Sequence, residues 1–397
     1  MPIPSSFVQS VAQGVRFVLR DATFFVALPT AYRLAALHPV DQKRALFVEE
    51  TKTEPSDNIV LVMRELETRG FDCQFISLGH YRLSTSVYYA QCTKMLREAA
   101  VARFVFLSEA SAPLSCVSLR KETSVVQLWH ACGAFKKFGM STADKLFGDS
   151  RADKKRHPYY ENLSLVTVSS PEVRWAYIEA MDLGNTPEVV RATGVSRTDV
   201  YFDEAFLECQ RQQVLDVVSE ATGKKILLYA PTFRGLISDA EGPEALDIRL
   251  LKKRLSGEYV LLIKHHPFVT SRPPIPQDCE GFAFDVSDSL SIEAAMAAAD
   301  VCVSDYSSLV FEYSLLGRPM AFFAFDRADY DDWRGFYYDY DEMTPGPVVT
   351  TTEELVDWIE HLDERFDPEE IEAFRKKFMG ACDGHATIRI VDTILGE

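Results

Sequence analysis

VCVSDYSSLVFEYSLLG, residues 301–317, joins an apolar strand to a helix through a short polar hinge. The strand ends at Ser304–Asp305 and the helix opens at Ser307–Ser308. Such a unit belongs to a parallel sheet covered by helices on both faces. Its hinge sets two hydroxyls and several unpaired backbone N–H groups at a helix N-terminus, on the carboxyl edge of a strand. That arrangement favours a phosphate through the helix dipole and the free donors. Serine used simply to cap a helix would give the same letters.

The alternation recurs on both sides of this stretch. RALFVEE (44–50), FDCQFISL (71–78), RFVFLS (103–108) and SVVQLWH (124–130) read as strands, with helices at 57–70 and 86–100 between them. A helix over 203–223 closes on a glycine and a second series follows. Its strands are KKILLYA (224–230), YVLLIKH (259–265), FAFDV (282–286), VCVSD (301–305) and RPMAFFAF (318–325), and three acidic helices complete the chain over 352–396. No fixed-period repeat is present. The pattern predicts an α/β protein of two doubly wound, Rossmann-like domains divided near residue 210, with the cleft between them as the default site. The expected divisions are an amphipathic helical segment 1–35, an N-terminal Rossmann-like domain 36–210 and a C-terminal Rossmann-like domain 211–397.

The length of 397 residues fits two domains at roughly 100–200 residues each. A net charge of −17 argues against general nucleic-acid binding, because a phosphate backbone needs a basic face. Eight cysteines without CxxC spacing fit neither a zinc site nor a disulfide framework, and point to a reducing cytoplasm. MPIPSSFVQSVAQGV lacks the signal-peptide pattern. The uncharged stretch Ala22–Tyr32 contains Pro29 and falls short of the about 20 residues a membrane span needs.

Charge is uneven. Residues 120–156 carry nine Lys/Arg against four acids, net +5, whereas 326–397 carry net −13. A basic island in an acidic chain suits an anionic substrate or an anionic membrane surface. Phe7, Val8, Val11, Val15, Val18 and Leu19 recur at near-helical spacing with Arg16 and Arg20. They describe a helix lying in a membrane interface, or one packed on its own domain.

Candidate chemistry lies at the strand ends. In VVQLWHACGAFKK, His130 follows a strand and precedes a small-residue turn with Gly133, then Lys136 and Lys137; a histidine there can act as general base near neutral pH. In LLIKHHPF, His265 and His266 point to opposite faces of a strand, so one faces the cleft and the other is structural. Thr232 and Arg234 follow another strand in YAPTFRG, and Arg197 sits in the loop ATGVSRTD. Together these loops offer donors and almost no acid, which suits a pyrophosphate and not a metal.

WHACGAFKK, GVSRTD, LLYAPTFR, LLIKHHP and VSDYSSLVFEYSLLGRP, followed by Asp326, Tyr330 and Arg334–Gly335, occur in an order that resembles the CDP-glycerol glycerophosphotransferases of wall teichoic acid synthesis. SDNIVLVMRELETRG and DGHATIRI (383–390) are similar too, so the resemblance spans about 44–394. It implies a GT-B fold and transfer of glycerol phosphate from CDP-glycerol to a hydroxyl of a lipid-linked saccharide or glycerophosphate acceptor, with CMP released. The alternatives are transfer of ribitol phosphate from CDP-ribitol, or a GT-B glycosyltransferase or epimerase. His130, as base, and His266 are the implied catalytic residues. The implied substrate-binding positions are Ala131, Cys132, Gly133, Lys137, Arg197, Pro231, Thr232, Arg234, Lys264, Ser307, Ser308 and Glu312. Ala131–Cys132 replaces the family's glycine–threonine, and Glu312 its aspartate. No metal and no cofactor beyond the CDP-alditol is expected. The implied location is peripheral, on the cytoplasmic face of the membrane.

Overall fold

The computed structural model describes residues 17–144, 150–235, 240–327 and 335–397. The expected interface-helix positions Phe7 to Arg16, and Tyr330 and Arg334, lie outside them.

Two six-stranded sheets form, every pairing parallel. The first holds β1 (Asp41–Glu49), β2 (Asp72–Ser77), β3 (Ala102–Leu107), β4 (Ser124–Gln127), β5 (Leu163–Thr167) and β6 (Val190–Arg191), in the order β2-β1-β3-β4-β5-β6. The second holds β7 (Lys225–Tyr229), β8 (Tyr259–Ile263), β9 (Ala283–Asp285), β10 (Val301–Ser304), β11 (Met320–Phe323) and β12 (Val348–Val349), in the order β12-β11-β10-β7-β8-β9. Strands such as YVLLI (259–263) are buried along their whole length, as a sheet covered on both faces requires. The order reverses between β1 and β3 in one sheet and between β7 and β10 in the other. Loops leaving the carboxyl ends of those strands therefore diverge and open a crevice.

Local signals set the helices. Asp203 accepts from the N–H groups of Ala205 and Phe206 at the start of helix Glu204–Val217, and Ser291 accepts from Ala294 at the start of helix Ile292–Ala298. The chain then crosses back: Ile390 and Val391 of its last helix, Ala386–Leu395, join the buried cluster of Ala45, Phe47 and Ile59 under the first sheet. Asp199, at the end of the GVSRTD motif, caps that helix by accepting from Ala386 and Thr387 at 2.9 and 2.8 Å.

The two lobes share one core, in which Trp129, Cys132 and Phe135 pack with Tyr306, Phe311 and Phe378. The lobes approach closely at Gly133. Its φ of +63° is left-handed, and a Cβ there would lie 2.3 Å from the Phe311 ring. Only glycine satisfies both constraints. Gly133→Ala is expected to cost about 1–3 kcal/mol of stability, read as a lower denaturant midpoint without a change in slope.

Candidate active site between the lobes

β4 delivers His130 through a strained turn. Trp129 holds φ +59°, rare for an aromatic residue, and side chains fix it from both sides. Its N–H donates to Gln127 Oε1 at 3.0 Å and its carbonyl accepts from Asn58 Nδ2 at 2.8 Å. The indole stacks on the His130 ring, centroids 4.2 Å apart.

His130 Nδ1 lies 3.0 Å from the Ser108 carbonyl. A carbonyl oxygen only accepts, so Nδ1 carries the hydrogen and the lone pair of the neutral ring sits on Nε2. Ser108 is itself anchored, its hydroxyl donating to the fully buried Glu49 at the end of β1. His130 is exposed, yet protein crowds it enough that loss of hydration pushes its pKa below the ordinary histidine value; the nearby Arg197 pushes the same way, while the Ser108 carbonyl opposes.

Arg197 crosses between the lobes: its Nε donates to Glu312 Oε1 at 2.5 Å. Burial is the largest single effect and works against the guanidinium charge, but Glu312 together with Cys132, Tyr201 and Glu293 outweighs it and raises the Arg197 pKa. Burial likewise pushes the Glu312 carboxyl up while Arg197 draws it down. Arginine does not surrender its proton in proteins, so the guanidinium stays charged against the Glu312 carboxyl. Cys132, almost fully buried, also points its thiol at Glu312, 3.5 Å away.

The second lobe contributes the hinge after β10. Ser307 and Ser308 are half-buried and not walled off in the interior; the Ser307 hydroxyl accepts a long 3.4 Å bond from the Leu309 N–H. The expected scarcity of acid does not hold. Asp305 takes the Thr232 N–H and hydroxyl at 2.8 and 3.0 Å, and Arg234 reaches both Asp305 and Asp326. Thr232 and Arg234 are thus drawn into a network that fixes the β7 and β10 loops to each other, with Pro231 buried beside them. Lys264 gives its ammonium to the carbonyls of Ser287 and Leu290, at 2.7 and 2.6 Å. His265 is buried and His266 exposed, dividing the pair as their alternation requires. His266 Nδ1 accepts from the Phe268 N–H at 3.2 Å, which leaves the ring hydrogen of its neutral form on Nε2. Ala131 and Gly133 both accept from the Tyr177 hydroxyl, and the Lys137 N–H donates to the Gly335 carbonyl, binding this loop into the interface. Among the described residues no three of His, Cys, Asp or Glu gather where one ion could sit.

Sequence reading missed Asn58. It is 1% exposed, and its Oδ1 accepts from the Arg197 N–H at 2.9 Å and from the Ser196 hydroxyl at 3.2 Å while its Nδ2 holds Trp129. One amide therefore sets the spacing between the His130 turn and the Arg197 loop. Near a helix start, in the run Ser56-Asp57-Asn58, it reads as one more capping residue.

A family model described as CDP-Glycerol:Poly(glycerophosphate) glycerophosphotransferase matches residues 30–396. The chain belongs to this family. It is 34% identical over 371 residues to the teichoic acid ribitol-phosphate primase of Bacillus spizizenii, covering 92% of this chain and 94% of that one. It is 35% identical over 369 residues to the teichoic acid poly(ribitol-phosphate) polymerase of the same organism, but there spans only 58% of the relative's length, against 92% of its own. Its fold is that of the wall teichoic acid polymerase TagF in a structure with CDPG: TM-score 0.75 at 19% identity, covering 100% of this chain and 98% of that one. The UDP-GlcNAc 2-epimerase of Neisseria meningitidis shares the two-lobed architecture at TM-score 0.54 and 15% identity, covering 89% of this chain and 100% of that one. The expected GT-B arrangement is the one observed.

Asn58→Ala removes the amide that both loops use and strands buried donors and acceptors. The expected cost is about 2–4 kcal/mol, from lost bonds and unpaired groups together, measured by chemical denaturation. Tryptophan fluorescence should report a loosened Trp129.

Proposed function

We propose that the chain transfers an alditol phosphate from a CDP-alditol to an acceptor hydroxyl in teichoic-acid-type polymer synthesis, releasing CMP. The observation that carries this reading is the His130 tautomer: Nδ1 is committed to the Ser108 carbonyl, so Nε2 is the basic atom, beside an arginine anchored across the lobes. The acceptor oxygen attacks the β-phosphorus, and its proton passes to His130 Nε2. A new P–O bond forms as the bond to the bridging oxygen breaks, and that electron pair leaves on CMP. Arg197, the Ser307 and Ser308 hydroxyls and an Nε2–H from His266 supply positive ends for the phosphate oxygens. Positioning and charge stabilisation of this kind carry most of phosphoryl-transfer catalysis. In this mechanism Thr232, Arg234 and Lys264 shape the donor loops through their own partners.

Ribitol phosphate is the second reading for the donor, favoured by the 34% identity to a ribitol-phosphate primase over nearly its whole length. Glycerol phosphate is favoured by the family description. Glu312 is held by Arg197, so its extra methylene acts first on the placement of the arginine.

His130→Ala should lower turnover at least 10²-fold, the lower bound for general-base help, while leaving the KM for the CDP-alditol within a few-fold. CMP release from CDP-glycerol and CDP-ribitol measures both. Since the His130 pKa lies below its ordinary value, about 6.5, wild-type kcat/KM should stay level down to pH 6.5 and fall only below it, where Nε2 takes up a proton.

Membrane attachment is the further part of this reading. No helix among the described residues is long and apolar enough to cross a membrane. Phe24, Leu28 and Tyr32 anchor the N-terminal helical segment on the first lobe, while Phe17, Val18, Phe25 and Val26 remain exposed. The basic helix Arg151–Arg156 lies alongside, with Arg156 over the rings of Phe17 and Phe25 at 5.2 and 5.6 Å. Apolar and cationic groups on one surface suit an anionic lipid interface. The chain should sediment with phosphatidylglycerol vesicles and not with phosphatidylcholine vesicles, and Phe25→Asp with Val26→Asp should abolish the difference.

A further inference from the structure

The parallel ladder between β1 and β3 ends at the pair Val48–Leu107. Beyond it the strands diverge, and side chains take over their pairing. Glu49, the last residue of β1, reaches across so that its Oε2 accepts from the Ser108 hydroxyl. Glu109 reaches back: its Oε2 accepts from the N–H groups of Glu50 and Thr51 at 2.9 and 2.7 Å, and its Oε1 from the Thr51 hydroxyl at 2.6 Å. Two carboxylates thus latch the strand ends from opposite sides, and Ser108, whose carbonyl holds His130 Nδ1, sits between them.

Glu49 is the deeper of the two, with no exposed surface. Its Oε1 has a partner on a third element, the Ser56 N–H at 2.9 Å. Ser56 precedes helix Asp57–Thr68, which carries Asn58. One carboxylate therefore refers both the carbonyl behind His130 and the helix behind Asn58 to the end of β1. A carboxylate taken out of water is tolerated only where donors replace its hydration, and here donors from two elements do so. Replacing such a carboxylate and its partners by apolar groups of the same shape would cost the fold little. Apolar groups would not fix the place of a carbonyl.

That place matters because the hydrogen bond at one ring nitrogen decides where the lone pair of the other lies. With the Ser108 carbonyl on Nδ1, the basic atom is Nε2. The charged groups around the ring are Arg197, Lys52 beyond β1 and Glu109 beyond β3; the two cations oppose protonation, Glu109 favours it, and the Ser108 carbonyl also favours it. None of the three charged side chains fixes the tautomer.

We propose that Glu49 is a positioning residue for the base: through Ser108 it fixes the tautomer and the aim of His130. Its part in turnover rests on the phosphotransfer reading; its hold on the imidazole does not.

Glu49→Gln and Ser108→Ala each cut this link and leave the Ser108 carbonyl in the chain. The glutamine keeps an oxygen for the Ser56 N–H but meets the Ser108 hydroxyl with an amide donor. The alanine removes the hydroxyl alone, and decides the matter where Glu49→Gln does not fold. The full chain, carrying 15N-labelled histidine, is observed by NMR near about pH 8, where neutral imidazole dominates, and then titrated. The His130 signals are those missing from the spectrum of His130→Ala. In the wild type the hydrogen should sit on Nδ1. In either variant the two ring-nitrogen signals should move toward the average of both tautomers. The ring should also titrate at lower pH, because support from the carbonyl weakens while crowding, Arg197 and Lys52 persist. Turnover should fall about fivefold or more, the effect of roughly one hydrogen bond, with the KM for the CDP-alditol within about twofold. Placed on His130→Ala, the same substitutions should cost nothing further. Ring signals and titration unchanged in both variants, unchanged turnover, or an equal loss of turnover with and without His130 would overturn the inference. A wild-type chain that releases no CMP from either CDP-alditol would sink the phosphotransfer reading, and the ring-nitrogen signals would then decide the hold of Glu49 on the imidazole by themselves.

Discussion

The contact between Arg197 and Glu312 joins a loop of one lobe to a helix of the other, at a place where neither partner is well hydrated. Taking two such charges out of water costs several kcal/mol per ion before their attraction is counted, so the pair is a poor source of net stability. What it supplies is placement. Its strength falls off with any sliding of the lobes, and losing one partner would leave the other charge stranded. The guanidinium is thereby fixed beside His130, and the same lobe separation that satisfies the pair brings Phe311 against Gly133.

Asn58 makes that constraint local. Its amide is the shared partner of the Trp129 carbonyl and the Arg197 N–H, so the two catalytic candidates of the first lobe are set by one side chain on a third element. The strained Trp129 turn persists because Asn58 and Gln127 hold both of its peptide groups. The second lobe has its counterpart in Asp305, which binds Thr232 and Arg234 across the β7–β10 crevice. Each lobe thus ties two strand-end loops together with a buried polar residue, and exposes at that edge the groups suited to phosphate chemistry.

The fold was legible because its signals are local: strands buried on both faces read as unbroken apolar runs, and their alternation with amphipathic helices leaves few topologies. The strand-end location of His130, Arg197, Ser307 and Ser308 was legible for the same reason. Pairing was not. Nothing in YAPTFRG says that Arg234 turns to Asp326, 92 residues on, or that Lys264 bonds the carbonyls of Ser287 and Leu290. Ion pairs across such separations are tertiary facts without a sequence period. Asn58 stayed hidden because an asparagine near a helix start already has an adequate local explanation.

The return of the last helix to the first sheet alters how the molecule can move. The lobes are linked covalently twice, once before helix Glu204–Val217 and again where the chain leaves the second lobe for Ala386–Leu395, whose first turn is pinned by Asp199. Two bodies tied at two nearby points keep one easy degree of freedom, rotation about the line through both ties. Relative motion of the lobes is thereby confined to rotation about that line, which keeps the imidazole and the hinge serines in one register, because translation and twist are denied by the second tether.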